Sequence, residues 1–255
     1  MDHISAIIIT QNEERNISRC LESLKDVADE IIVVDSGSSD ATQSICLNAG
    51  ARFLHHDWEG YDRQKNYANS LASHSWILSI DADEALSPQL RHNLQLMKQQ
   101  GFPPLTVFSV NRLTNYCGHW IHHCGWYPDA RIRLWPAGIA SWDGEVHEEL
   151  KFSASVSHAS LSGDLLHYSY YSVAEHASRT AKYATLAGEK AFHQGQRYNK
   201  GLALKTAWSF LRSYLLRLGF LDGRAGYTVC KISSFYTLIK YARLRELTLQ
   251  EEGKA

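Results

Sequence analysis

Four short apolar runs separated by helical stretches fill the first eighty residues and constrain the fold more than any other feature of the chain. "SAIII" (5–9) and "EIIVVDS" (30–36) are β-branched almost throughout, the signature of strands covered on both faces. "ARFLHH" (51–56) and "WILSI" (76–80) supply a third and a fourth strand. Between the first two, Ile17, Cys20, Leu21 and Leu24 recur at helical spacing. "GSSDATQSICLNAG" reads as a capped loop, one helix and a stop at Gly50, and "DRQKNYANSLA" as a further helix. Ser87-Pro88 opens another, because Ser caps well and Pro suits the first helical position. Strand alternating with helix predicts a doubly wound α/β sheet, whose ligands bind at the carboxyl ends of the strands. That rule gathers Thr10–Glu13, Asp35–Asp40 and Asp81–Glu84 around one crevice.

After "LTVFSV" (105–110) the pattern changes to a Trp-, His- and Gly-rich stretch in which only "ARIRLW" (130–135) reads as a strand. Helices are predicted over 173–194 and, amphipathic, over 203–220. The formal net charge of −1 hides an asymmetry: residues 196–245 hold ten bases and the single acid Asp222, so the remainder is strongly acidic. An acidic body with a basic, aromatic tail points to two tasks in one chain. Five scattered cysteines without a CxxC pair fit reduced thiols in a cytosolic setting. "MDHISAIIIT" carries an acid where a signal peptide needs positive charge, and no uncharged apolar run reaches the ~18–20 residues of a membrane span. Contact with a membrane would therefore be from the side.

The fourth strand ends in "SIDADE", three acids within four positions. Carboxylates crowded at one strand end repel one another, and burying them unpaired is costly. A hard cation such as Mg²⁺ or Mn²⁺ relieves that cost by bridging one or two carboxylates to substrate phosphates. Asp83, with Asp81 beside it, is the candidate ligand, whereas Glu84 suits a solvated turn capping the next helix. Asp35 closes "IIVVDSGSSD", where Gly37 and the serines permit close backbone approach. Neither G-x-G-x-x-G nor a Walker A sequence occurs, which argues against dinucleotide oxidoreductases and P-loop enzymes.

"AIIITQNEERNISRCLESL", "EIIVVDSGSSDAT", "KNYA" and "ILSIDADE", in this order, resemble the N-terminal half of family 2 glycosyltransferases of the GT-A fold. "WYPDARIRLW", "GEVHEEL" and "GFLDGRAGY" resemble a narrower group, the bacterial lipopolysaccharide inner-core β-glucosyltransferases. The resemblance implies a Rossmann-like mixed sheet flanked by helices, with a C-terminal helical extension. It implies a catalytic domain over 1–165, divided into a nucleotide-sugar half (1–104) and an acceptor half (105–165), and a membrane-associating region over 166–255. The activity it implies is inverting transfer of a sugar, most simply glucose, from a UDP-sugar to a heptose of the inner core, assisted by Mn²⁺ or Mg²⁺. By position, Thr10, Asn12 and Glu13 would line the nucleoside, Asp35 would contact the uracil and Lys65 would lie near the nucleotide. Asp81 would face the ribose or the metal, and Asp83 the metal itself.

Inversion also needs a base for the acceptor hydroxyl. The family's "VHE" element points to Glu148, with His147 as a metal or phosphate contact. In an extended segment Glu145 and His147 share one side and Glu148 the other, so Glu145 stands as the alternative base. Cys117, His119, His122, His123 and Cys124 match no common zinc spacing and read instead as a loop beside the acceptor. Trp120, Trp126 and Tyr127 there offer flat faces to a sugar, and Arg131 and Arg133 alternate on a strand where they suit either a phosphate or ordinary surface salt bridges.

Two other classes compete. A haloacid-dehalogenase-like phosphatase also ends a strand in D-x-D, but wants Thr or Val where Ala85 stands and uses its first strand. A non-catalytic sugar-nucleotide-binding protein on a membrane is the third reading. The expected partners are a UDP-sugar, a lipid-anchored oligosaccharide and an anionic membrane surface, not nucleic acid. The expected place is the cytoplasm, peripheral to the inner membrane. Oligomeric state is not legible.

Overall fold

The computed structural model describes residues 2–144, 149–198 and 201–253. The chain forms two compact units, Met1–Leu113 with Asp129–Tyr168 and Thr114–Pro128 with Ser169–Ala255. The Trp- and His-rich stretch 114–128 groups with the helical unit.

In the first unit the expected alternation is present: β1 (Ile4–Thr10), α1 (Ile17–Leu24), β2 (Glu30–Asp35), α2 (Thr42–Asn48), β3 (Arg52–His55), α3 (Tyr61–Leu71) and β4 (Trp76–Ser79). The chain continues through β5 (Glu84–Leu86), α4 (Pro88–Gln100), β6 (Thr106–Tyr116), β7 (His119–Ile121), β8 (Ala130–Pro136), β9 (Ala140–Asp143), β10 (Glu149–Phe152) and β11 (Ser157–Tyr170). The main sheet runs β3-β2-β1-β4-β8-β6-β11-β5. Its first four strands are parallel, so β1, β2 and β4 deliver their carboxyl ends to one edge, where Thr10 pairs in register with Asp35. Beyond β4 the pairing turns antiparallel, which makes the sheet mixed rather than purely doubly wound.

Both faces of the parallel part are covered. Ile4 and Ile8 face a core with Ile17, Leu21, Leu24, Leu90 and Leu94, while Ile7, Ile32 and Val34 face Ala68 and Trp135 on the other side. This parity is why the strands read as unbroken apolar runs, each buried side chain adding about 1.5–3 kcal/mol. Ser87 caps α4, accepting from the Leu90 N–H at 3.2 Å, with Pro88 at the first helical position, as expected.

The second unit contains α5 (Val173–His193), α6 (Leu202–Leu211) and α7 (Gly223–Glu251). The single helix expected over 203–220 does not form. It ends at Leu211, continues as a π turn (Arg212–Leu216) and, past Leu218 at φ +55°, as a 3₁₀ turn (Gly219–Asp222). Close packing there explains the break: a Cβ at Gly219 would stand 2.6 Å from the Cys230 sulfur. The apolar stripe behind that expectation is exposed, with Leu204 at 77 % and Trp208 at 57 %. The unit's own core joins Tyr116, Ile121 and Cys124 to Val229 and Cys230 of α7.

Candidate functional site

The carboxyl edge of β1, β2 and β4 is organised by short side-chain-to-backbone bonds. The Asp35 carboxylate accepts the N–H groups of Gly37 and Ser38, both at 2.8 Å through Oδ2, and the Ser38 hydroxyl through Oδ1. Gly37 holds φ +93°, which a side chain would resist. Asn12, itself at φ +55°, donates its N–H to the Ser38 hydroxyl and accepts the Ser39 N–H, each at 2.8 Å. The Glu13 N–H donates to Thr42 Oγ1 at 2.8 Å, and the Glu13 carboxylate accepts from Asn16. Asp35 is thus the organiser of a turn, with acceptor capacity remaining on Oδ1 because a carboxylate oxygen carries two lone pairs. Thr10 is buried, and its hydroxyl has no partner among the described residues. Such an orphan costs about 1–3 kcal/mol until something pairs with it.

The three acids lie in a turn joining β4 to β5, closed by the Glu84 N–H on the Asp81 carbonyl at 2.9 Å. Glu84 also accepts the Asp81 N–H through its carboxylate at 2.9 Å. Two of the acids are compensated from within the protein. Arg133 Nη2 lies 2.8 Å from Asp81 and 2.5 Å from Glu84, and Lys65 Nζ lies 3.9 Å from the other Asp81 oxygen. Arg112 adds a weaker contact to Glu84 at 3.8 Å. Burial alone raises the Asp81 carboxyl pKa, but Arg133 and Lys65 outweigh it and hold Asp81 well below the usual carboxylate range. Glu84 goes the other way: burial, together with the Asp81 charge, outweighs Arg133 and pushes its carboxyl up. Asp83 differs from both. No arginine or lysine pairs with it among the described residues; its partner is His167, with Nε2 at 3.2 Å, and its side chain is 25 % exposed against 31 % for Asp81.

Arg133, expected to meet a phosphate, is therefore buried against two carboxylates of its own unit. Arg131 is exposed and pairs with Asp129 at 2.9 Å. Lys65 lies 4.5 Å from the Trp142 ring, and Asn66 beside it exchanges two 2.8 Å hydrogen bonds with the Trp142 backbone. The antiparallel pair β9–β10 is thereby tied to α3 next to Lys65, with Asp143 and Glu149 opposite each other in its register. Glu145, His147 and Glu148 lie outside the described residues. Trp126 and Tyr127 belong to the second unit. There Trp126 joins Tyr170 and His176, with ring centroids 5.7 and 5.6 Å away. Tyr127 meets His122 at 5.8 Å. Of the Cys/His cluster, His123 Nδ1 pairs with Asp222 at 2.8 Å and the Cys124 thiol contacts the Gly226 carbonyl at 3.7 Å.

The donor set suits a divalent cation in one way. Among the described residues no three His, Cys, Asp or Glu side chains are grouped to hold a metal. A hard cation bound by one carboxylate and completed by diphosphate oxygens and water needs no such group. Asp83, partly exposed, fits that role, whereas Asp81 already faces two cationic side chains.

Sequence reasoning missed Arg133 and Arg112 as internal counter-ions, and His167 as the partner of Asp83. The spacing of "ARIRLW" could show which side of the strand Arg133 takes, but not that β8 lies beside β4.

The family description "Glycosyl transferase family 2" matches residues 5–123. An uncharacterized glycosyltransferase of Rickettsia typhi is 31 % identical over 263 residues, 99 % of this chain and 90 % of that protein. The lipopolysaccharide core biosynthesis glycosyltransferase LpsC of Rhizobium meliloti is 30 % identical over 255 residues, 94 % of this chain and 91 % of LpsC. Among solved structures, glucosyl-3-phosphoglycerate synthase of Mycobacterium tuberculosis is 25 % identical, over 46 % of this chain and 45 % of that one, with a TM-score of 0.36.

Proposed function

The chain belongs to glycosyl transferase family 2, and on that premise we propose that it moves glucose from a UDP-sugar to a heptose of the lipopolysaccharide inner core, with inversion at the anomeric carbon. Its mixed sheet flanked by helices is the GT-A architecture of that family. The observation that carries the reading is the division of labour among the acids. Arg133 pairs with Asp81 and Glu84, and Lys65 with Asp81, leaving Asp83 as the acid of the turn that pairs with no arginine or lysine among the described residues, in the strand-end region that Thr10 and Asp35 also occupy. Similarity to LpsC over most of both chains supports an acceptor in the lipopolysaccharide core.

In this reading the unpartnered Thr10 hydroxyl and the free capacity of Asp35 Oδ1 receive the nucleoside, with Asn12 and Glu13 shaping the adjoining turn. Lys65 lies toward the diphosphate, and Asp83, with His147, holds Mn²⁺ or Mg²⁺. That cation, when bound, stabilises the negative charge that develops on the departing diphosphate. Glu148, with Glu145 as the alternative, takes the proton from the acceptor hydroxyl as its oxygen attacks the anomeric carbon and the bond to UDP breaks. Trp126, Tyr127 and Arg131 are assigned to the acceptor. No helix among the described residues is long and apolar enough to cross a membrane. The exposed Leu204, Trp208, Leu215 and Leu216 and the surrounding bases support peripheral attachment to the inner membrane.

The test is transfer from radiolabelled UDP-glucose and UDP-galactose to truncated lipopolysaccharides, with Mn²⁺, with Mg²⁺ and with chelator, the product anomer being read by NMR. Metal-dependent formation of a β-glucoside on a heptose-terminated acceptor is expected. Binding of UDP-sugar without turnover would favour the non-catalytic reading, and a retained anomer would overturn the mechanism.

A further inference from the structure

The second unit carries 14 Lys and Arg residues against six Asp and Glu. A cavity of about 620 Å³ lies among α6, the π turn, α7 and the segment Cys124–Trp126, all within that unit. Four cationic side chains line it, Lys205, Arg212, Arg217 and Lys240, and no Asp or Glu does. None of Arg212, Arg217 or Lys240 forms an ion pair with a carboxylate among the described residues. The nearby acid Asp222 is engaged elsewhere, accepting from the His122 and His123 N–H groups and from the His123 ring. Like charges drawn together in this way repel one another, and a bound anion removes the repulsion.

The backbone is shaped to bring the two arginines together. In an α-helix, residues five apart point about 140° away from each other. The π turn widens the coil: the Arg217 N–H donates to the Arg212 carbonyl at 2.9 Å, an i to i+5 bond that turns both residues toward one side. Gly125 then seats the Arg217 side chain. A Cβ at that position would stand 2.6 Å from Arg217 Cδ and 2.8 Å from Cζ, and Gly125 holds φ +80°. The Arg217 carbonyl is fixed in turn by the Cys124 N–H at 3.0 Å. The remaining wall is hydroxyl and aromatic, with Ser209 and Thr237 hydrogen-bonded across it at 3.0 Å and Trp208 and Tyr236 at its sides.

We propose that this cavity binds a phosphate monoester, carried either on a soluble sugar phosphate or on a lipid headgroup. Four cations exceed what one carboxylate requires and favour the −1.5 to −2 charge of a monoester over a single negative charge. Guanidinium pairs suit its oxygens bidentately. A space of about 620 Å³ lies within the usual size range of small-molecule sites, so the flat rings have room to cover the group that bears the phosphate. The proposal stands on the second unit alone and does not depend on the transfer reading.

Inorganic phosphate and glucose 6-phosphate are titrated into the full chain by calorimetry, with sodium sulfate and acetate as competing anions. Both phosphates are expected to bind, and the double variant Arg212→Gln/Arg217→Gln to weaken both by roughly tenfold or more, the loss expected for charge-assisted hydrogen bonds. Lys182→Gln/Arg224→Gln removes the same charge from exposed positions of the same unit outside the cavity, and should change binding less than about twofold. Absence of phosphate binding, equal weakening by the two double variants, or equal affinity for acetate would overturn the proposal. Co-sedimentation with phosphatidylcholine vesicles containing phosphatidic acid or, at matched surface charge, phosphatidylglycerol identifies the source. A preference for phosphatidic acid that inorganic phosphate competes away assigns the monoester to a lipid. Phosphate binding with no such preference assigns it to a soluble ester.

Discussion

The guanidinium of Arg133 stands 2.5 Å from the Glu84 carboxylate, and both side chains are almost wholly withdrawn from water. Removing one partner of such a pair leaves a buried charge unmatched, which costs about 3–5 kcal/mol. Arg133→Met should therefore lower unfolding free energy by about that amount in urea titrations. Arg133→Met/Glu84→Leu should recover much of it, since a buried pair replaced by apolar groups is often neutral. A single variant as stable as wild type would show that the pair is not the counterbalance described here.

Asp83 is partly exposed, so its replacement tests function more than folding. Asp83→Asn keeps the shape and removes the charge. Turnover is expected to fall by orders of magnitude, because metal assistance of this kind contributes several kcal/mol. The melting temperature should move little. Near-normal activity in the variant would remove Asp83 from the metal site.

The general base is tested by a pair of variants. Glu148→Gln should retain UDP-sugar binding and lose transfer by roughly 10²–10⁴-fold, the usual worth of general base catalysis. Glu145→Gln should be milder. The reverse order would assign the base to Glu145.

The pH dependence of stability carries a signature of the second unit. Burial, with a smaller contribution from the Arg179 charge, lowers the His176 pKa from 6.5 to about 4. The folded state therefore binds this proton less readily than the unfolded state does. The stability contribution is full above pH 6.5 and is lost as pH falls toward about 4, at most about 3 kcal/mol. Urea midpoints between pH 7.5 and 4.5 should fall more steeply for wild type than for His176→Phe, which has no proton to bind. Parallel slopes would mean that His176 titrates alike in both states.

The exposed stripe of the second unit should govern attachment to membranes. Leu204 and Leu216 are 77 % and 67 % exposed, so changing them leaves folding intact. Leu204→Gln/Leu216→Gln should reduce co-sedimentation with anionic liposomes at low salt, each buried aliphatic side chain being worth about 1.5–3 kcal/mol. Rising salt should release the wild type, because surface attraction is screened within a Debye length. Wild-type protein that ignores such vesicles would make the stripe an interface of another kind.

The local grammar of the first unit was written in the sequence. The runs around Ile7, Val33 and Ile77 could only be strands covered on both faces, and alternation with helices forced them parallel, so Thr10, Asp35 and Asp81 had to reach one edge. Ser87-Pro88 set the start of α4 for reasons confined to a single turn of helix. These features depend on neighbours in the chain, and periodicity and capping report them directly. What answers the charge on "DADE" does not. Arg133 is 52 residues from Asp81 along the chain, and only the antiparallel docking of β8 against β4 brings them to 2.8 Å. The broken helix after Leu211 has the same origin: the sequence carries a continuous apolar period, but Gly219 must pass against Cys230 and the carbonyl of Ser213 too closely for any side chain. Periodicity determined which residues share a side; the partners each side meets were decided by long-range packing, because charge pairing and close approach act through space.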